Sequence, residues 1–258
     1  IVVLVEERVQ QLNQKYGAKQ FFYFQRDRMF NEKQGMYMGW ERKRGAVVQF
    51  NHSLQSGDFS DFSHVSKDAQ ILVGSRFIMT LDADTRLPFG SLAKIVGAAA
   101  HPLNEPEVNR EQGRVVNGYG MFQPKMGVSL PSSLKSPFAW LISGDVGSEP
   151  YSGTVFEVQQ DVFGEGSFAG KGLFDSKLFD ELVGSVLPEN TILSHDMLEG
   201  SILRTAFVSD AELTDDVPSG YIAWKKRAHR WLRGDWQLAA FLKRNFRDKD
   251  GNIRKNHL

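Results

Sequence analysis

The chain has no cysteine at all, so disulfides and cysteine-ligated zinc are excluded, and a reducing compartment is allowed. It has no net charge, because 31 basic residues balance 31 acidic ones. Nothing therefore points to a general nucleic-acid or membrane-surface electrostatic footprint. No run of about 18 apolar residues occurs, so no segment reads as a bilayer span. The six histidines are scattered without ligand-like spacing, and no zinc site is expected. No secretory leader pattern is present. The chain opens on Ile1-Val2-Val3-Leu4-Val5 with no starting Met, and it is expected to be an excised piece of something longer.

What is present suits one large domain or two small ones. Aromatics are 12% of the 258 residues, which fits a sizeable core or aromatic platforms in a cleft. Helical spacing predicts a helix over 3–16, with Leu4, Val5, Val9 and Leu12 on one stripe and Gly17 as its stop. A short aromatic strand is expected over 20–25 and a basic helix over 40–54. Residues 76–81 read as a strand, 88–101 as a helix ended by Pro102, and 115–123 as a strand broken by Gly118 and Gly120. Residues 132–146 are read as helical. The glycine-rich run 163–174 reads as a strand with tight turns, followed by a helix to about 183 capped by Asp175. A short helix over 196–205, a strand over 206–213 and a long helix over 219–242 complete the reading. Alternating strands and helices favour an α/β fold with a mostly parallel open sheet flanked by helices.

The most informative feature is Asp82-Ala83-Asp84, at the exit of the apolar run Phe77-Ile78-Met79-Thr80-Leu81. Ligands bind at the carboxyl ends of strands in open α/β sheets. Two carboxylates there suit a hard divalent cation, which prefers oxygen ligands and can bridge to phosphate. The segment from Phe163 to Gly172 lets backbone approach a ligand closely, although its spacing matches neither a Walker loop nor a dinucleotide fingerprint. A bulged hairpin would explain it equally. In Ser194-His195-Asp196, Asp196 would lie in the first turn of a helix, kept ionised by the dipole and able to serve as a general base or simply to cap. Three consecutive residues cannot converge into a Ser-His-Asp triad. In the last helix Arg227, Arg230 and Trp231 share a face that would suit a diphosphate beside a sugar ring. An amphipathic helix with a solvated basic side is the plainer reading, and the cost of leaving Trp231 and Trp236 in water speaks against it. Lys43 lies in the basic run Glu41-Arg42-Lys43-Arg44-Gly45, which faces phosphate or is solvated surface.

Taken in order, these pieces resemble a known family. They are Met38-Gly39-Trp40-Glu41-Arg42-Lys43-Arg44-Gly45, Leu81-Asp82-Ala83-Asp84-Thr85, Gly118-Tyr119-Gly120 with Gln123-Pro124, Phe163-Gly164-Glu165-Gly166-Ser167, Leu193-Ser194-His195-Asp196, and His229-Arg230-Trp231-Leu232-Arg233-Gly234-Asp235-Trp236. The chain resembles the glycosyltransferase domain of cyclic β-1,2-glucan synthases, family 84 of the glycosyltransferases, similar in layout to cellulose and chitin synthases. The resemblance implies a single GT-A domain over 1–258, lacking its first strand–helix–strand, with a nucleotide-binding half at 1–125 and an acceptor and catalytic half at 126–258. It implies inverting transfer of glucose from UDP-glucose to a growing glucan, with Mg²⁺ or Mn²⁺ held by Asp82 and Asp84 and with Asp196 as base. It further implies that Arg230 contacts diphosphate, with Arg227 at the position where the related synthases carry Gln. Lys43 and Gly45 would lie against the nucleotide, and Trp231, Gly166 and Ser167 beside the acceptor. The implied setting is the cytoplasmic face of a bacterial inner membrane, reached through flanking segments absent from this chain.

Two rivals stand beside this reading. A haloacid-dehalogenase-like phosphatase also places Asp-x-Asp after an apolar strand and binds Mg²⁺. It needs Thr two positions after the second Asp, where this chain has Arg86, with Thr85 one residue early. The other rival is a non-catalytic nucleotide- or glycan-binding fragment.

Overall fold

The computed structural model describes residues 1–17, 19–143, 158–184, 195–248 and 251–256. The chain divides into two compact units, Ile1–Arg76 and Phe77–Leu258. Among the described residues no helix is long and apolar enough to cross a membrane.

The first unit begins with helix α1 (Val2–Tyr16), stopped as expected by Gly17, whose left-handed backbone lets its N–H bond back to Asn13. The apolar stripe is narrower than its spacing suggests. Val5, Val9 and Leu12 are half-buried while Leu4 is exposed. The expected strand over 20–25 shortens to β1 (Phe24–Gln25). Next come the hairpin strands β2 (Arg28–Asn31) and β3 (Met36–Gly39), helix α2 (Arg42–Ser56) and β4 (His64–Val65), which pairs with β1. Arg26 ties down the start of α2. Its guanidinium donates to the carbonyls of Trp40 and Arg42 and to Gln49. Those bonds hold Glu41 and Arg42 in left-handed backbone, a costly conformation for residues with a Cβ.

The second unit contains β5 (Phe77–Thr80), α3 (Ser91–Ala99), β6 (Glu107–Asn109), β7 (Arg114–Asn117) and β8 (Met121–Val128). The short helices α4 (Leu130–Ser133), α5 (Pro137–Ile142) and α6 (Val158–Phe163) follow. Then come β9 (Gly172–Asp175), α7 (Ser176–Leu182), α8 (Asp196–Leu203), β10 (Thr205–Asp215), α9 (Tyr221–Leu238), β11 (Asn245–Arg247) and β12 (Ile253–Lys255). The break expected at Gly118 and Gly120 separates β7 from β8, and Gly118 has positive φ and lies where any Cβ would strike the Glu105 carbonyl. Two readings change. The helix expected over 132–146 is two short helices, and its last residues lie outside the described ones. Residues 163–171 are mostly loop, because only Gly172–Asp175 finds a partner strand.

The sheet order is β10-β8-β9-β5. β10 and β8 are parallel, whereas β9 is antiparallel to both β8 and β5. The expected mostly parallel sheet is therefore mixed, because β9 runs antiparallel between β8 and β5. β5, β8 and β10 nevertheless run the same way, so their carboxyl ends and the start of β9 share one end of the sheet. One face carries the core, where Ile95 and Ala99 of α3 pack on Phe122, Leu173, Ala206, Val208 and Ala211. Side chains alternate along a strand, so Phe174 turns to the other face and its ring lies 4.5 Å from that of Phe179 on α7. Asp175 caps α7 by accepting from the Leu178 N–H. Pro124, which cannot donate to a ladder, sits where β10 bulges between Val208 and Glu212 and where pairing with β9 has ended.

Beyond β10, Asp216 accepts from the Ser129 hydroxyl, with Lys135 at 3.5 Å and Arg86 at 3.8 Å. The Ser129 bond, then the charge of Lys135, holds its carboxyl below the usual range. A folded pKa below the unfolded one adds stability that is present above the unfolded pKa, about 4, and is lost as pH falls through the folded value. Asp216→Asn is expected to cost on the order of 1 kcal/mol at pH 7 and to approach wild type in acid. Urea denaturation at several pH values measures this.

Candidate active site

The acid pair sits where its sequence position predicts. Asp82 and Asp84 leave β5 at the sheet end formed by the carboxyl ends of β5 and β10 and the start of β9. The loop they occupy crosses that end from the edge strand β5 to the opposite edge strand β10. Arg86 and Thr214 exchange backbone hydrogen bonds of 2.8 and 3.1 Å, and the Thr85 hydroxyl donates to Asp215 Oδ1 at 2.6 Å. Asp215 is buried, and its other oxygen lies 2.6 Å from the Lys171 ammonium, also buried. The same ammonium lies 3.5 Å from Asp82 Oδ2. Asp82 is half-exposed and Asp84 fully exposed, so the two carboxylates lead outward from a buried ion pair.

Lys171 is presented by the glycine-rich loop, which is bonded along its length. Arg204 and the Tyr119 hydroxyl donate to the Gly164 carbonyl, and the Gly166 N–H donates to the Thr205 carbonyl. The Ala169 N–H donates to the side-chain oxygen of Gln123, which is wholly buried. The Thr80 hydroxyl, two residues before Asp82, reaches the carbonyls of Gly170 and Gly172 at 3.5 and 3.4 Å.

Asp196 reaches the same loop at the preceding residue, Gly170. It is the first residue of α8, half-buried, and its carboxylate lies against the Cα of Gly170. A Cβ on Gly170 would come within 2.7 Å of Asp196 Oδ2, and Gly170 has a φ of +81°. Asp82 and Asp196, 114 residues apart in the chain, thus flank the consecutive residues Lys171 and Gly170. Ser194 and the preceding run from Asn190 lie outside the described residues, whereas His195 is described and buried.

With that geometry in view, likeness to other proteins becomes informative. The chain is 43% identical over 236 residues to the cyclic β-(1,2)-glucan synthase NdvB of Rhizobium meliloti (strain 1021). The matched stretch is 91% of this chain but 8% of that protein. This chain is related to a segment of a cyclic glucan synthase. No family model matches it.

Within the synthase-related segment, the other expected site residues are placed as follows. On α9, the Arg227 guanidinium lies 4.6 Å from the Trp231 ring centre and donates to the Asp216 carbonyl, next to buried Asp215. The expected shared face is thus formed by Arg227 and Trp231 and is tied to the end of β10. Arg230 is exposed. Trp236 is 74% exposed, so its cost in water does not argue against a solvated face. Gly166 and Ser167 begin the glycine-rich loop, and the Ser167 hydroxyl donates to Gln159. Lys43 and Gly45 lie on α2 in the first unit, Lys43 exposed and Gly45 buried against Trp40.

Among the described residues no group of three or more His, Cys, Asp or Glu side chains could cage a metal ion. Two carboxylates nevertheless suit Mg²⁺ or Mn²⁺ of the kind that takes its other ligands from water and substrate phosphates. Asp82 and Asp84 thus fit a cation that arrives with a diphosphate. Sequence reasoning missed Lys171, Asp215 and Gln123. Lys171 stood inside the glycine-rich run, and a lysine between two glycines was the available signal.

Gly170→Ala is expected to cost about 1–2 kcal/mol through its left-handed backbone. The added Cβ would also press on the Asp196 carboxylate. Urea denaturation measures the loss, and an unchanged midpoint would show that the loop takes up the side chain without strain.

Proposed function

We propose that this chain carries the catalytic residues of an inverting, metal-dependent glucosyltransferase that moves glucose from UDP-glucose to a growing β-1,2-glucan. The observation that carries this reading is the convergence of Asp82 and Asp196 on Lys171 and Gly170. A donor anchor and a base brought to consecutive residues of one loop suit a single displacement.

In the proposed mechanism Asp196 acts as the base. The N-terminal dipole of α8 favours its ionised form. It accepts the proton of an acceptor hydroxyl as that oxygen bonds to the anomeric carbon of glucose. The bond from that carbon to the diphosphate breaks in the same displacement, UDP leaves, and the configuration inverts without a covalent intermediate. Arg230, with Arg227, offsets charge growing on the leaving diphosphate. Asp82 and Asp84 would hold a Mg²⁺ or Mn²⁺ ion, which would supply further neutralisation there. In the same reading Trp231, Gly166 and Ser167 border the acceptor. The proposed division of labour is nucleotide binding by 1–125 and acceptor binding by 126–258, within a GT-A fold. The reading sets the domain at the cytoplasmic face of a bacterial inner membrane, carried there by neighbouring segments of a longer protein.

No specific observation favours the phosphatase rival. Thr85, the hydroxyl closest to the position it requires, donates to Asp215 instead.

In the full-length protein Asp196→Asn is expected to lower glucosyl transfer about a thousand-fold, within the range for a lost general base, while UDP still binds. Near-normal turnover would remove Asp196 from the mechanism. Asp84→Ala should abolish the Mn²⁺-dependent part of UDP binding in calorimetric titration. An unchanged Mn²⁺ dependence would refute the metal role of the pair.

A further inference from the structure

The mechanism above leaves the buried ammonium of Lys171 unused, yet Lys171 stands directly behind the acid pair. Asp215 is its primary partner at 2.6 Å, with the two side chains 5% and 2% exposed, and Asp82 is its outer partner at 3.5 Å. The Thr85 hydroxyl holds the second oxygen of Asp215, and Thr80 holds the carbonyls on either side of Lys171. The Lys171–Asp215 pair carries no net charge, but its ammonium end is fixed 3.5 Å from Asp82. A lone divalent cation approaching Asp82 would meet that positive end, and its attraction to the carboxylate would be partly offset. A cation already paired with a diphosphate carries no net positive charge and would not be opposed.

We propose that Lys171 is a positioning residue that couples cation binding to the donor, so that metal and nucleotide sugar load together and neither Asp82 nor Asp84 retains a metal alone. This rests on the reading of Asp82 and Asp84 as cation ligands. Lys171 serves by its charge and by holding Asp82 toward Asp215, and it takes no part in bond making.

The test is Mn²⁺ binding to the full-length protein, followed by electron paramagnetic resonance with and without UDP. Wild type is expected to bind Mn²⁺ weakly alone and at least about tenfold more tightly with UDP, the effect of one partly screened unit charge. Lys171→Met leaves the buried Asp215 carboxylate unpaired, which is destabilising. The double variant Lys171→Met/Asp215→Asn removes both charges and retains an acceptor for Thr85. In Lys171→Met Mn²⁺ alone should bind about tenfold more tightly than in wild type; in the double variant, where the net charge is unchanged, the gain should be smaller, and in both the enhancement by UDP should shrink. A merely structural role would weaken folding without changing the ratio of Mn²⁺ affinities with and without UDP. Wild-type binding that depends on UDP, together with an unchanged ratio in both variants, overturns the role of Lys171 and spares the acid pair. Failure of wild type to bind Mn²⁺ under either condition overturns the cation reading and this one with it.

Discussion

The contact between the Lys171 ammonium and the Asp215 carboxylate organises the reactive end of the second unit. Both groups are almost fully withdrawn from water. A buried carboxylate is costly unless charge and hydrogen bonds meet it. Asp215 has both, from Lys171 and from Thr85. Each partner also belongs to a different element: the loop before β9, the end of β10, and the turn after β5. The pair therefore does more than satisfy itself. It holds three chain segments at one end of the sheet and leaves Asp82 directed outward from a fixed base.

The glycine-rich loop gains its importance from that arrangement. Its density of glycine is a consequence of close approach, most clearly at Gly170, where the Asp196 carboxylate occupies the space a Cβ would need. Its order comes from bonds made by others. Gln123 is buried in β8 yet spends its amide oxygen on Ala169, and Arg204 clasps Gly164 while lying 4.8 Å from the Tyr119 ring centre. A loop bonded at both ends and in the middle can present a lysine at one residue and lie under a carboxylate at the residue before it.

Much of the layout was legible in the sequence, for reasons particular to the segments concerned. The apolar run before Asp82 predicts a strand because a continuous apolar stretch of that length has few other folded uses, and it forms β5. Asp175 and Gly17 predict a helix start and a helix stop because each satisfies backbone groups locally. Where partners are remote, the reading strayed. The sheet was expected to be mostly parallel. The reversal at β9 depends on which strand finds which neighbour, and local periodicity does not carry that information.

The same division runs through the site. The sequence by itself determined the placement of Asp82 and Asp84 at a strand exit and of Asp196 at a helix start, because both follow from local patterns of burial and capping. It also determined the pairing of Arg227 with Trp231, since a helix brings residues four apart together. Only the tertiary structure decided that Asp82 approaches Lys171 while Asp196 lies at neighbouring Gly170, and that Asp215 and Gln123 bond to the same loop and its lysine. Those relations rest on buried charge and hydrogen bonds between segments dozens of residues apart. Desolvation makes such contacts decisive once the chain is folded, and nothing in the local sequence states which partners they will join.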